Sequence, residues 1–159
     1  MAIMEVYSIY MNIREVELND DVLAELIKLS EDWTAENSCY GYRPNDKSDI
    51  EGNRIFFAEE SGKVVGYLFG KVYESEQMKS IMPEGTPYFE VEELYVILER
   101  RSQGIGEALF RHVEGAVKNE AQYMVLSTAT KNWKAIFHFY LDELDMTFWS
   151  ARLFKKIER

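Results

Sequence analysis

The residues best suited to bind an anion lie around two glycines, Gly104 and Gly106. Tyr88–Val96 before them is typical of a strand, and apolar residues recur at helical spacing after Gly104. The first N–H groups of a helix have no partner within the helix and lie at the positive end of its dipole. Glycine lets a phosphate approach the backbone there, and Arg100 and Arg101 add positive charge. We therefore predict a diphosphate site at this strand–loop–helix junction.

Two other interpretations of the glycine pair remain open on local evidence. Gly-x-Gly also begins the helix of dinucleotide-binding folds, which place it in the first turn of a parallel unit and need an acidic residue at the end of the next strand. Here the next predicted strand ends in Ser127–Thr130, with no acid. The second interpretation is an ordinary loop before an amphipathic helix.

Two carboxylates on the strand before this loop are candidates for proton transfer. Because side chains alternate along a strand, Glu90 and Glu92 are predicted to share one face, with Glu93 on the other. Two neighbouring carboxylates repel each other, and this repulsion raises the pKa of each. One of them could therefore act as a base closer to neutral pH than an isolated glutamate. The alternatives are a solvated strand face or counter-charges for Arg100 and Arg101.

Metal and thiol chemistry have weak support in the sequence. His112 and His138 have no metal-ligand residues at suitable spacing, so no metal site is predicted. The single cysteine, Cys39, excludes an internal disulfide framework and has no histidine nearby in the sequence. An acyl-cysteine route is therefore not expected.

The segments that must position these residues alternate between strand and helix patterns. Strands are predicted at Met11–Val16, Arg54–Glu60, Val64–Tyr73, Tyr88–Val96, Gln122–Ala129 and Phe148–Lys155. Helices are predicted after Asn19, after Gly104 and over Trp133–Leu141, with a second helix or a long loop between Trp33 and Asn45. Ser61-Gly62 predicts a hairpin turn. We predict one mixed α/β domain over residues 1–159, in which residues 1–10 form an extra strand or a flexible leader.

Composition and charge narrow the possible partners. The 159 residues are 47% hydrophobic, which allows a packed core, and the formal net charge is -10. Such acidity disfavours nucleic-acid binding and suits a cationic substrate, although solubility alone also explains it. No apolar run is long enough to span a bilayer and no signal-peptide pattern begins the chain, so we predict a cytoplasmic protein without membrane partners. A homodimer is the commonest homo-oligomer and stays open.

The stretch Arg101-Ser102-Gln103-Gly104-Ile105-Gly106 resembles the Arg/Gln-x-x-Gly-x-Gly/Ala signature of the GNAT superfamily of N-acetyltransferases. Glu93-Leu94-Tyr95-Val96 is similar to that family's fourth strand, and Asn132 and Phe139-Tyr140 are similar to the segment after its fifth strand. The resemblance runs from about Met11 to the C-terminus in the order of elements as well as in motif.

The resemblance implies a mostly antiparallel sheet with helices on both faces and a V-shaped cleft where the fourth and fifth strands splay apart. It implies acetyl-CoA as the cosubstrate, with its pyrophosphate on main-chain amides and its pantetheine arm beside the free main-chain groups of Leu94 and Val96. Asn132 would hydrogen-bond the arm. The implied coenzyme-binding residues are Leu94, Tyr95, Val96, Arg101, Ser102, Gln103, Gly104, Ile105, Gly106, Glu107 and Asn132.

Two positions depart from the family pattern. The stretch between Asn132 and Tyr140 is one residue longer than usual, so Trp133 or Phe139 is an alternative for one of the two places. Asp145 stands where glycine is common, which predicts a different turn into the last strand. Three aromatic residues lie where the family has its substrate wall, and they either stack on a substrate or belong to the core: Trp33, Tyr40 and Tyr42.

Acyl transfer to an amine needs a base, because an alkylammonium has a pKa of about 10.4 and must lose a proton first. Related enzymes carry a carboxylate at the position of Glu90 or Glu92, and the resemblance makes Tyr140 the candidate acid beside the thioester sulfur. The main-chain N–H of Val96 is the candidate oxyanion donor.

We therefore expect transfer of an acetyl group from acetyl-CoA to a primary amine of a small molecule or peptide, by direct attack in a ternary complex. The acceptor is expected to be cationic. The alternative is a non-catalytic module that binds acyl-CoA and senses or regulates. Such a module would require neither the two strand carboxylates nor the tyrosine.

Overall fold

The computed structural model describes residues 11–158, so the predicted strand or leader in residues 1–10 lies outside the described residues. Its strands form one sheet in the order β1-β2-β3-β4-β5, antiparallel except for the parallel pair β4–β5. The strands are β1 (Met11–Val16), β2 (Arg54–Glu60), β3 (Lys63–Glu74), β4 (Pro87–Val96) and β5 (Tyr123–Val125). The helices are α1 (Asp20–Glu36), α2 (Lys47–Ile50), α3 (Ile105–Val117) and α4 (Trp133–Phe137). None of the helices in the described ranges is long and apolar enough to cross a bilayer.

The local signals in the first half of the chain were interpreted correctly. The Asn19 side chain accepts a hydrogen bond of 2.8 Å from the Val22 N–H, so it caps α1 as its sequence position indicated. Ser61 and Gly62 both have positive φ, 51° and 78°, which matches the twist of a two-residue hairpin turn between β2 and β3. The stretch between Trp33 and Asn45 is not a second long helix, because α1 continues to Glu36 and a loop follows.

Helices cover both faces of the sheet. Gly66 and Tyr67 are neighbours on β3 and therefore face opposite sides. Leu109 of α3 would lie 3.2 Å from a Cβ at Gly66, and Trp33 of α1 packs against Tyr95, the partner of Tyr67, with ring centroids 5.1 Å apart. The sheet is thus the middle layer between α1 and α3, as the mixed α/β prediction required.

A cleft opens between β4 and β5. The two strands pair only over Tyr88–Glu90 and Tyr123–Val125. After Val125 the chain turns to the loop that follows α1, where the Tyr40 N–H donates to the Ala129 carbonyl at 2.9 Å. The predicted strand Gln122–Ala129 was therefore too long, because its second half pairs with that loop instead of β4. The predicted V-shaped separation of the two strands is confirmed.

The C-terminal part departs most from the prediction. No strand forms over Phe148–Lys155, and residues 144–158 contain no regular element. Its apolar residues come in adjacent pairs, Phe148-Trp149 and Leu153-Phe154, and do not alternate as a half-buried strand requires. The prediction of a final strand was wrong on this point.

The predicted helix Trp133–Leu141 changes type partway along. It is α-helical over Trp133–Phe137 and π-helical over His138–Glu143. A π-helical turn takes up one extra residue, so the insertion noted between Asn132 and Tyr140 has a structural counterpart here. Asp145 follows at φ 57°, a left-handed conformation that glycine adopts most easily and aspartate tolerates.

Candidate active site

The edge of β4 that faces the cleft carries unpaired main-chain groups. The Ile97 N–H donates to the Val65 carbonyl at 2.9 Å, so the odd-numbered groups of this stretch point toward β3. The N–H and C=O groups of Leu94 and Val96 then point into the cleft, where no strand within residues 11–158 pairs with them. An extended ligand with amide groups could form a strand-like ladder along this edge.

Only part of that edge is available. The Val96 carbonyl accepts a 2.9 Å hydrogen bond from Nε of Arg101, so it is not free as the resemblance implied. The Val96 N–H and both main-chain groups of Leu94 remain directed toward the cleft. The side chain of Tyr95, which lies between them in the chain, is buried against α1. Its hydroxyl donates to Glu36 of α1 at 2.8 Å. Tyr95 therefore supports the edge from behind.

The loop after β4 ends in a helix start with an open face. Ser102 and Gly104 have φ of 61° and 84°, so two left-handed residues turn the chain into α3. No side chain caps α3, whose first main-chain donors are those of Ile105, Gly106 and Glu107. A Cβ at Gly104 would have no atom within 4 Å, so the space beside the residue that precedes these donors is open. This geometry fits an anion such as a pyrophosphate.

The two glycines have different roles. Gly104 has a positive φ, a conformation that glycine adopts most easily, and a Cβ there would meet no atom within 4 Å. Gly106 is in the helix, where a Cβ would meet the Phe139 ring at 3.2 Å and the Val96 side chain at 3.8 Å. Gly106 therefore permits close packing of α3 against the π-helical segment, and the prediction that it makes room for phosphate receives no support from these contacts.

Both arginines of the loop are engaged by carboxylates. Arg100 donates from Nε to Glu60 at 2.9 Å. The Arg101 guanidinium donates from its two terminal nitrogens to the two oxygens of Glu36, at 2.6 and 2.8 Å. The prediction that these side chains supply charge to a phosphate is therefore not supported. The anion site depends on main-chain N–H groups, with Gln103 exposed beside them and Glu107 paired to Arg111 at 3.0 Å.

A β-bulge in β4 brings three carboxylates to one face. Phe69 pairs with Glu93 and Lys71 pairs with Glu90. One residue lies between the two partners on β3, whereas two residues lie between the two partners on β4. Because Phe69 and Lys71 share a face, Glu90 and Glu93 share it too. The extra residue, Glu92, also reaches this face, since it accepts a 3.0 Å hydrogen bond from the Tyr73 hydroxyl. The prediction that Glu93 lies opposite the other two was wrong, because simple alternation fails at a bulge.

The three carboxylates differ in their surroundings. Burial raises the pKa of Glu90 to about 7, and repulsion from Glu92 adds to the rise. One oxygen of Glu93 accepts hydrogen bonds from the Tyr67 hydroxyl at 2.7 Å, Asn45 at 2.8 Å and the Tyr42 hydroxyl at 3.1 Å. Burial nevertheless raises the pKa of Glu93. No donor within the described residues holds the Glu90 side chain, so it is the carboxylate of the three that no hydrogen bond fixes.

Tyr140 lies in the π-helical segment that follows α4. It packs against Phe139, with ring centroids 5.0 Å apart, and against the hydrophobic core. Burial raises the pKa of Tyr140 to about 12, with a further contribution from Cys39, so its hydroxyl keeps its proton at neutral pH. Asn132 is exposed at the start of α4, and its side chain makes no hydrogen bond within residues 11–158.

Aromatic residues that the sequence indicated support the carboxylates, together with polar residues that it did not indicate. The rings of Trp33 and Tyr42 pack against each other in a tilted arrangement, 4.3 Å between centroids. The Tyr42 hydroxyl donates to Glu93, so both rings form part of the wall beside the carboxylates. Tyr40 is exposed and pairs with Phe154 at 5.6 Å. Glu36 and Asn45 had no signal in the sequence, because their partners Arg101 and Glu93 lie 65 and 48 positions away.

Comparison with known proteins agrees with this arrangement. Residues 15–143 match the model of the acetyltransferase (GNAT) family. An aminoglycoside acetyltransferase from an uncultured soil metagenomic sample, solved with trehalose, is 16% identical with a TM-score of 0.66, covering 94% of this chain and 97% of that one. AAC(6')-Iy, solved with the bisubstrate analogue CoA-S-monomethyl-acetylneamine, is 16% identical with a TM-score of 0.65, covering 94% and 99%.

A third solved structure widens the range of acceptors among similar folds. The ribosomal-protein-alanine N-acetyltransferase from Brucella melitensis biovar Abortus 2308 is 18% identical with a TM-score of 0.64, covering 92% of this chain and 99% of that one. At these identities the structures establish the fold alone, and no curated protein sequence matches the chain. The family model spans most of the chain, including the β4 edge and the start of α3. The chain therefore belongs to the GNAT family of acetyltransferases.

Proposed function

We propose that this protein transfers an acetyl group from acetyl-CoA to a primary amine by direct attack in a ternary complex. The observation that carries the proposal is the continuity of two recognition surfaces, since the open edge of β4 ends at the uncapped start of α3. One surface offers main-chain groups to the amides of a pantetheine arm, and the other offers helix N–H groups to a pyrophosphate. Acetyl-CoA combines these two chemical features.

The chain's own residues then divide the work of the reaction. The N–H groups of Ile105, Gly106 and Glu107 bind phosphate oxygens, and Leu94 aligns the arm. The Val96 N–H is directed into the cleft, where it can stabilise the oxyanion that forms as the amine attacks. Asn132 is free to hydrogen-bond the arm from the opposite side of the cleft.

The acceptor in this proposal is a cationic amine on a small molecule or peptide. Glu90, Glu92 and Glu93 line one face beside the cleft, next to the ring pair Trp33 and Tyr42. Carboxylates attract an ammonium group, and aromatic faces favour cations as well. The names of the similar structures include an aminoglycoside acetyltransferase and a ribosomal-protein-alanine acetyltransferase, both of which act on amines.

A direct assay tests the proposal. The full chain is mixed with acetyl-CoA and a panel of polyamines, aminoglycosides, amino acids and peptides, and acetylated product is detected by mass spectrometry. Mass detection is preferable to a thiol reagent because Cys39 is partly exposed and would react with the reagent. Product formation supports the enzyme. Saturable acetyl-CoA binding in calorimetry with no product from any amine would instead favour the sensor module.

Tyr140→Phe is expected to lower kcat by about a hundredfold while leaving KM for acetyl-CoA nearly unchanged. The phenol would protonate the leaving thiolate, and a general acid typically contributes about 10²–10⁴-fold, with an easy leaving group near the lower limit. Steady-state kinetics at saturating amine measure both constants.

The matched control for Tyr140 is Tyr123→Phe, because Tyr123 is a partly exposed tyrosine on β5 outside this segment. It should behave like the parent. An unchanged kcat for Tyr140→Phe would show that Tyr140 is not the acid. The one-residue difference in spacing would then direct attention to other residues of this segment.

A further inference from the structure

The side chain of Arg101 connects three separate elements of the site. Its Nε donates to the carbonyl of Val96, the last residue of β4, at 2.9 Å. Its two terminal nitrogens donate to Glu36, the last residue of α1, at 2.6 and 2.8 Å. Its guanidinium also lies over the Tyr95 ring, 5.4 Å from the centroid. One side chain thus joins the end of α1 and the end of β4 to the loop that begins α3.

Glu36 is the residue that fixes this arginine. Each Glu36 oxygen accepts from one terminal nitrogen of Arg101, and one of them also accepts from the Tyr95 hydroxyl at 2.8 Å. The Glu36 side chain is only 17% exposed and that of Arg101 is 36% exposed. A two-pronged pair of this kind fixes the plane of the guanidinium as well as its position. Removing one charge would leave the other partly buried without its partner.

We propose that Glu36 is a positioning residue for the coenzyme loop, acting through Arg101; this inference rests on the proposed function. The loop carries two left-handed residues, Ser102 and Gly104, and a non-glycine residue keeps such a conformation only where its surroundings impose it. The Glu36–Arg101 pair lies directly before Ser102 and holds that residue in its left-handed conformation. The pair therefore sets the direction of the main-chain donors at the start of α3.

Glu36 contributes without touching the coenzyme. Three protein donors occupy its carboxylate, and three of the five N–H groups of Arg101 are directed to Glu36 and the Val96 carbonyl. Loss of Glu36 should therefore weaken acetyl-CoA binding by releasing the loop. The chemical step at saturating coenzyme should stay unchanged, because the reacting atoms meet other residues.

Calorimetry of acetyl-CoA binding to the full chain tests this role. Glu36→Gln keeps the shape of the side chain but loses the charge, and hydrogen bonds to charged groups support a rise in Kd of roughly tenfold to a hundredfold. KM for acetyl-CoA should rise with it, whereas kcat should change less than twofold. If Glu36 acts through Arg101, the double variant Glu36→Gln/Arg101→Gln should bind no more weakly than Arg101→Gln alone.

Glu59→Gln is the matched control, because the Glu59 side chain is 19% exposed and pairs with Arg14 at 2.8 Å on the β1–β2 ribbon. It should lower Tm without changing Kd. A Glu36→Gln variant with a lower Tm but the parent Kd would overturn the proposal. The proposal would also fail if the two single substitutions weakened acetyl-CoA binding additively in the double variant. If Glu36→Gln does not fold by circular dichroism, Arg101→Lys keeps the charge and loses the fork, and a parent-like Kd for it overturns the proposal.

The same titrations separate this inference from the proposed function. If the parent chain itself does not bind acetyl-CoA, the proposed function fails and the role of Glu36 fails with it. If the parent binds and Glu36→Gln binds equally well, only the positioning role is lost.

Discussion

Gly104→Val is expected to raise the Kd for acetyl-CoA by about a hundredfold or more, so that saturable binding disappears under ordinary titration conditions. Two effects combine. A β-branched residue at φ 84° strains the backbone by about 1–3 kcal/mol, which the loop would relieve by turning away from its present conformation. The new side chain would also occupy the open space beside Gly104, at the start of α3. Isothermal titration calorimetry with the full chain measures the change.

A glycine with the same conformation elsewhere controls for strain alone. Gly52 has φ 82° in the turn between α2 and β2, and a Cβ there would also have no atom within 4 Å. Gly52→Val should therefore lower Tm by a similar amount while leaving acetyl-CoA binding intact. If Gly104→Val binds as tightly as the parent, the coenzyme does not use this loop.

The parts of the site that were predictable from sequence are those encoded by neighbouring residues. The turn at Ser61-Gly62, the cap at Asn19 and the change from strand to helix around Gly104 each depend on a few adjacent residues. Local rules of backbone conformation describe such features directly. The mixed α/β fold follows from the order of these elements along the chain, whereas the splay of β4 from β5 was implied only by the resemblance to the GNAT family.

The parts that could not be predicted depend on distant contacts or on breaks in periodicity. The bulge at Glu92 moves Glu93 to the face of Glu90, and it depends on a glycine on β3, because a Cβ at Gly70 would lie 2.0 Å from the Glu90 carbonyl oxygen. Glu36 meets Arg101 across 65 positions of sequence. No pattern in either segment indicates the other, so such partners become visible only when the chain is folded.

Glu90→Gln is expected to lower kcat/KM for the amine by about 10²–10⁴-fold and to leave the Kd for acetyl-CoA unchanged. Glutamine keeps the size of the side chain but cannot accept the proton of an ammonium group. Glu99→Gln, an exposed carboxylate on the turn after β4, controls for the loss of one negative charge and should behave like the parent. Parent-like activity in Glu90→Gln would mean that the β4 carboxylates only keep the strand solvated.

The pH profile offers an independent test of the same base. Glu90 must be ionised to accept a proton, and its pKa is raised to about 7, so kcat/KM should rise with pH through about 7 and then level off. Glu92→Gln removes the repulsion that contributes to this shift, which lowers the pKa of Glu90 and moves the acid limb to lower pH. High salt should raise KM for a cationic acceptor because it screens the carboxylates on this face. A kcat/KM that does not fall with pH below about 7, or a best acceptor that is anionic, would contradict this assignment and leave the coenzyme site intact.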